Sequence, residues 1–343
     1  MKKLIFVSFL SVLIFSCKSK KNIPDVSKIN VDLKLERFDR EFFAIDSNKI
    51  PFELNRLSDK YPVLTMIFLQ NILGLDSLSI EPGVRQFLRM SGKLYDTINN
   101  VFKNTEEIQK DLKKAFQFVK YYFPDYPIPV VTTIAGPVDA LAQSNTGPTP
   151  DFLAPGILGI SLQFYLGKGF SVYQDPLFIE NVVPAYRSRR FSKEYITADA
   201  IDLVISDLFP YQSGAKPLIE QMVEKGKRWW LIDKLLPHEA DTIKTGYTQQ
   251  QIDWCEENEG LIWSTIVKNE DLYSLNPETI QTYISEGPFT QGFSQENSPG
   301  NLGQWIGWRI VKKYTEKNPK LSPEELMRTD AKKILEEAKY KPK

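Results

Sequence analysis

Residues 246–263 read GYTQQQIDWCEENEGLIW, and residues 298–314 read SPGNLGQWIGWRIVKKY. Thr248 is placed to cap a helix whose Gln251 reaches back to it, and Ile252, Cys255, Ile262 and Ile266 then fall near one face. The opposite face carries Asp253, Glu256, Glu257 and Glu259. In the second run Gly303 and Gly307 stand four apart among Trp305, Ile306, Trp308, Ile310 and Val311, so another backbone can come close where the glycines sit. The two runs are expected to pair as helices at the centre of the core.

Outward from this centre the chain reads as helix with a small sheet before it. Residues 29–36 alternate apolar and polar without a fault, the pattern of a half-buried strand. Residues 130–134 and 157–164 are apolar and β-branched enough to be strands, and they bracket a loop, 136–156, rich in Gly, Pro, Ser and Asn. Within that loop Ser144-Asn145-Thr146-Gly147 is either an ordered turn or a place to bind a partner's backbone.

Helical periodicity or punctuation marks residues 51–73, broken at Tyr61-Pro62, and then 105–123, 197–209 and 217–236. Asn276-Pro277-Glu278 opens a further helix, and Ser322-Pro323-Glu324-Glu325 opens the last, which runs to about residue 338. The expected fold is α+β and mostly helical, with the sheet in the N-terminal half packed on a helical core and residues 28–343 forming one domain.

Composition excludes several classes of function. The 343 residues are 42% hydrophobic and 12% aromatic, enough for a large core. Forty-three basic residues balance 43 acidic ones, and no Arg/Lys cluster is interleaved with aromatics, so nucleic acid is not an expected partner.

The N-terminus reads as an address. Lys2 and Lys3 precede an apolar run too short to span a bilayer, and Ile14-Phe15-Ser16-Cys17 follows. This start resembles a bacterial lipoprotein signal, with residues 1–16 removed and Cys17 lipidated. Residues 17–27 then form a tether, and membrane attachment is through the lipid on Cys17. In the lipoproteins this start resembles, an acidic run after the cysteine accompanies export to the outer cell surface; the run here is basic at Lys18, Lys20 and Lys21, so the resemblance implies the periplasmic face of the outer membrane. Without the signal, Cys255 is the one thiol besides Cys17, and its apolar side of the helix makes it buried and inert.

The two Trp-rich runs, together with the lipoprotein start and IPDVSKINVDLKLERFD after it, resemble the GldB family of gliding motility lipoproteins over essentially the whole mature chain. That resemblance implies a membrane-anchored component of the gliding machinery, in contact with other cell-envelope motility proteins. More distantly, the layout is similar to zinc peptidases with a zincin-like core. The resemblance sets residues 197–209 at the H-E-x-x-H helix, Met222-Val223-Glu224-Lys225-Gly226 at a Glu-Gly step, and Gly303-Gln304-Trp305-Ile306-Gly307 at a late helix.

A zincin needs two imidazoles one turn apart on a helix. Residues 197–209 hold none. His238 is the only histidine, and Thr242 stands where a second would be needed. The zincin-like frame is therefore expected to be degenerate, with no metal and no cofactor.

Three functions compete. The first is a non-catalytic assembly component, presenting the acidic face of Asp253, Glu256, Glu257 and Glu259 or the basic cluster of Arg187, Arg189 and Arg190. The second is a hydrolase built on carboxylates, from Asp199, Asp202 and Asp207 on one helix and Glu220 and Glu224 on the next. The third is a peptide- or envelope-polymer-binding module whose apolar groove is lined by the 136–156 loop with Tyr165, Phe170 and Tyr173.

Overall fold

A computed structural model describes residues 23–144, 147–211, 214, 216–269 and 271–342. The expected signal, Cys17 and the first part of the tether lie outside these residues, as do Asn145 and Thr146. The chain enters on β1 (Leu35–Glu36) and builds a helical group from α1 (Phe38–Phe43), α2 (Ile50–Lys60), α3 (Pro62–Met66) with a π-helical continuation (Ile67–Ile72), and α4 (Ile80–Val101).

After α5 (Glu106–Tyr122) come β2 (Val130–Ile134), a hairpin of β3 (Ala142–Ser144) and β4 (Gly147–Thr149), then β5 (Phe152–Ala154) and β6 (Ile157–Ser161). The rest is helical. It runs through α6 (Pro176–Asn181), α7 (Ala185–Ser188), α8 (Ile196–Leu208), α9 (Leu218–Leu235), α10 (Asp241–Thr245) and α11 (Gln249–Glu257). It closes with α12 (Glu259–Lys268), α13 (Pro277–Ile284), α14 (Leu302–Lys317), α15 (Pro323–Arg328) and α16 (Ala331–Ala338). The fold is α+β and mostly helical, as the sequence indicates.

The main sheet has the order β1-β2-β6-β5, with β1, β2 and β6 parallel and β5 antiparallel at the edge. Both of its faces are covered, as a largely parallel sheet requires. Val131, Leu158 and Ile160 point into the main core, whereas Ile134 and Ile157 point into a second cluster with Phe38, Phe42, Leu64, Phe68 and Val84 of the first four helices.

The alternation at residues 29–36 holds for burial but not for pairing. Val31 and Leu33 are buried, yet only Leu35 and Glu36 join a ladder. The carbonyls of Ile29 and Leu33 instead accept from Gln117 and Gln109 of α5, each at 2.9 Å, so two helix side chains replace a neighbouring strand. The expected loop at 136–156 also differs: its turn residues separate three short strands instead of filling one long connection. Val26, inside the expected tether, is fully buried in the main core.

The centre of the fold is α9, not the 246–263 run. Its buried residues occupy every side, from Leu218 and Met222 to Trp230 and Leu235, as in a helix enclosed by others. The expected pairing of 298–314 with 246–263 is corrected accordingly. Gly307 of α14 packs against Met222 and Gly226 of α9, where a Cβ on Gly226 would lie 2.1 Å from the Gly307 carbonyl carbon.

The 246–263 run meets the 298–314 run at two lesser points: Tyr247 donates to the Gly300 carbonyl at 2.9 Å with its ring stacked on Trp305, and Glu259 receives Arg309 of α14 at 2.9 Å. Its capping box at Thr248 and Gln251 is present. The single expected helix breaks at Asn258 into α11 and α12, and the last expected helix breaks at Thr329, where Asp330 recaps the chain as α16.

Candidate functional site

A cavity of about 170 Å³ opens where α8, α9, the start of α14 and the β4–β5 connection meet. Helix spacing supplies its walls. Asp199 and Asp202, three apart on α8, share one face, and Lys225 and Arg228, three apart on α9, share another. Arg187 and Arg190, Asp151, Glu286, Asn301 and Gln304 add to the polar lining, and Phe191, Leu203, Trp229 and Ile243 are among its apolar residues.

Most of these charges are matched. Glu286 receives Arg187 Nε at 3.0 Å and Arg190 Nη2 at 3.1 Å. Burial works against the Glu286 anion, but the two guanidiniums outweigh it and hold the carboxyl below its ordinary range. Arg228 Nη2 meets Asp202 at 2.5 Å and donates to the Ser206 hydroxyl at 2.9 Å. Lys244, also on the lining, is tied to Asp233 and Asp241.

The floor holds a linked triad. The Tyr165 hydroxyl lies 2.7 Å from Asp151 Oδ2 and 2.9 Å from Asp199 Oδ2, and Ser161 N donates to Asp151 Oδ1 at 2.8 Å. A phenol has one proton, so it can donate to one carboxyl only, and the other must itself be protonated to bond. Burial, then the Asp199 charge, pushes Asp151 up to about 8. Burial pushes Asp199 up to about 6, with Arg190 holding it down. Near neutral pH one of the two carboxyls must carry a proton for both bonds to form, and the stronger upward push on Asp151 favours it there, with the two carboxyls titrating as a pair.

The residues singled out by sequence are dispersed. Asp199 and Asp202 meet in the cavity, while Asp207 is exposed, Glu220 faces Lys332 at 3.6 Å, and Glu224 pairs with Lys227 at 2.8 Å. Arg187 and Arg190 line the cavity. Arg189 turns away to donate to the Gly246 carbonyl at 2.7 Å and to Gln251 at 3.1 Å.

Asp253, Glu256 and Glu257 are exposed on α11, whereas Glu259 is turned inward, bonded to Arg309 at 2.9 Å and to the Tyr340 hydroxyl at 2.6 Å. His238 is exposed on the turn after α9, beside Phe118. Burial pushes the Cys255 thiol far up.

The cavity does lie beside the 136–156 segment, but its lining is charged, and Tyr165 and Tyr173 are core residues instead of groove walls. Asp151, Lys225, Arg228, Glu286 and Asn301 were not legible as a site. The available signal was the run of cations, Lys225, Lys227 and Arg228, in the middle of the helix whose buried residues lie on every side.

The arrangement defines a mostly helical α+β protein with a small, ion-paired cavity over a buried carboxyl–phenol–carboxyl relay. The chain belongs to the gliding motility protein GldB family, a family of lipoproteins, whose model matches residues 19–342. That membership links it to gliding motility. No curated protein and no solved structure matches it significantly. Among the described residues no helix is long and apolar enough to cross a membrane, and no group of three His, Cys, Asp or Glu is arranged to hold a metal ion.

Proposed function

We propose that the protein is a lipid-anchored, non-catalytic component of the gliding machinery, held on the periplasmic face of the outer membrane through Cys17 and acting by contact with other envelope motility proteins. The carrying observation is on α11: Asp253, Glu256 and Glu257 are exposed on one short helix and, among the described residues, form no ion pair with the chain's own cations. An unneutralised acidic face of this kind favours a basic partner and speeds encounter with it.

The lone imidazole at His238, exposed and away from the cavity, supports contact over turnover. Only six residues, 17–22, separate the lipid from Ile23, so at most about 20 Å of extended chain ties the domain to the bilayer.

The test is gliding by cells carrying Glu256→Lys, Glu257→Lys. Colony spreading should fall while the amount of folded protein is unchanged, and cross-linking to other envelope proteins should fall with it. Unchanged spreading and unchanged cross-links would reject the acidic face. In parallel, Cys17→Ala should abolish fatty-acid labelling and release the chain from the membrane fraction.

A second reading, hydrolysis by carboxyl groups, draws on the separated proton affinities of Asp151 and Asp199. It requires turnover of peptides by the purified full chain that Asp199→Asn removes; with no turnover it fails.

A further inference from the structure

We infer that the cavity takes the C-terminal carboxylate of a peptide, held by Lys225 and Arg228. Among the described residues Lys225 makes no ion pair within 4 Å; its ammonium lies over the Tyr211 ring at 5.7 Å, and Glu286 and Asp202 act on it only at longer range. One turn on, Arg228 is 6% exposed and satisfies Nη2 with Asp202 and Ser206, but its Nη1 is buried without a partner. A buried guanidinium nitrogen left unbonded is costly, and proteins seldom retain one without use.

The other cations on this wall are already engaged, Arg187 and Arg190 by Glu286 and Lys244 by Asp233 and Asp241. The two unspent donors are thus neighbours on one helix face, where a single carboxylate can accept from both in charge-assisted bonds.

Size and charge narrow the ligand. At about 170 Å³ the space is smaller than the range of roughly 300–1,000 Å³ that encloses a whole small molecule, so it admits one end of a longer one. The two unspent donors match the two oxygens of a carboxylate, whereas a phosphate would leave at least one charged oxygen without a free donor and facing Asp199, Asp202 and Glu286.

A second orphan supplies direction. Asn301 Oδ1 is buried without a donor, its Nδ2 being spent on Gln304 Oε1 at 2.7 Å. The N–H that precedes a terminal carboxylate in a peptide is a donor of the missing kind. Phe191, Leu203 and Ile243 offer apolar contact to the last side chain.

The inference is independent of the motility role, because it concerns binding by the isolated protein. The full chain in detergent is titrated calorimetrically with acetylated tripeptides varied at the last residue, with the same tripeptides amidated, and with inorganic phosphate. Free-acid tripeptides should bind, and amidation should weaken them by about tenfold or more, the worth of bonds to charged groups. Lys225→Met should give a similar loss and Lys225→Arg should restore binding. Equal binding of acid and amide, binding of phosphate alone, indifference to Lys225→Met in a folded variant, or no binding by any tripeptide would each overturn the assignment. The acid-against-amide comparison needs no variant and decides the matter if Lys225→Met does not fold.

Discussion

The Cα of Gly307 sits so close to the Met222 carbonyl that a Cβ added to Gly307 would stand 1.7 Å from that oxygen. No real Cβ contact is this short, and the obstacle is backbone within a helix, which cannot swing aside. Gly307→Ala must therefore push α14 off α9 and disturb the Trp305–Trp308–Trp229 ring cluster beside the contact. Overpacking of this kind costs about 1–3 kcal/mol, and a backbone obstacle puts it at or above the upper end. Chemical unfolding should show that loss. Gly92→Ala is the control: nothing lies within 4 Å of its Cβ position in α4, so it should stabilise by up to about 1 kcal/mol through helix propensity.

The same glycines show how far the sequence could be read. Gly303 and Gly307 announced a close helix approach, and the approach exists, but spacing on one helix cannot say which other helix supplies the backbone. Gly226 of α9 held that answer only in combination. Capping residues were legible because their chemistry is local: Thr248, Asn276 and Ser322 each accept from the helix they precede. α4 went unread because Pro82, Gly83 and Gly92 interrupt it and only Val84 and Ile98 are fully buried. The cavity was legible only in part, through Arg187, Arg190, Asp199 and Asp202, and for a different reason. Asp151, Asp199, Arg228 and Glu286 come from four separate elements, and nothing in their spacing along the chain brings them together.

Asp151 should make stability fall as pH rises. Its carboxyl is raised from 3.8 to about 8 in the fold, so the folded state holds a proton that the unfolded chain releases. The favourable contribution is complete below the unfolded value and is lost as pH climbs toward about 8. Asp151→Asn keeps an oxygen for Ser161 N and an N–H for the Tyr165 oxygen without the ionisation. Relative to the wild type, the variant should gain about 1–3 kcal/mol between pH 6 and pH 9 in denaturant melts. A constant difference across that range would place the proton elsewhere in the triad.

Glu259 and its neighbours Glu256 and Glu257 should separate cleanly by stability. Glu259 ties α12 to Arg309 of α14 and to Tyr340 after α16, and its side chain is 14% exposed. Glu259→Ala leaves a guanidinium and a half-buried phenol without their acceptor, at about 1–3 kcal/mol. Glu256→Lys and Glu257→Lys alter solvated positions on α11 and should stay within about 0.5 kcal/mol of the wild type. Melting the three variants side by side checks the order, and a destabilised Glu256→Lys would mean that this face packs against something within the chain.

Lys227 should prove structural despite its charge. Its side chain is 2% exposed, its ammonium donates to the carbonyls of Met327 and Thr329 at 3.0 Å each, and it pairs with Glu224 at 2.8 Å. Those carbonyls belong to the end of α15, so one lysine from the central helix terminates the penultimate helix and fixes where α16 begins. Lys227→Met preserves the stem but strands two carbonyls, a loss of about 1–3 kcal/mol on the scale of unmet buried hydrogen-bond groups, while the half-buried Glu224 keeps Lys216 at 3.7 Å. Hydrogen exchange should show the damage first as faster exchange in α15 and α16, with α9 still protected. Lys332→Met, which removes a 70% exposed partner of Glu220, should leave both stability and exchange unchanged within about 0.5 kcal/mol.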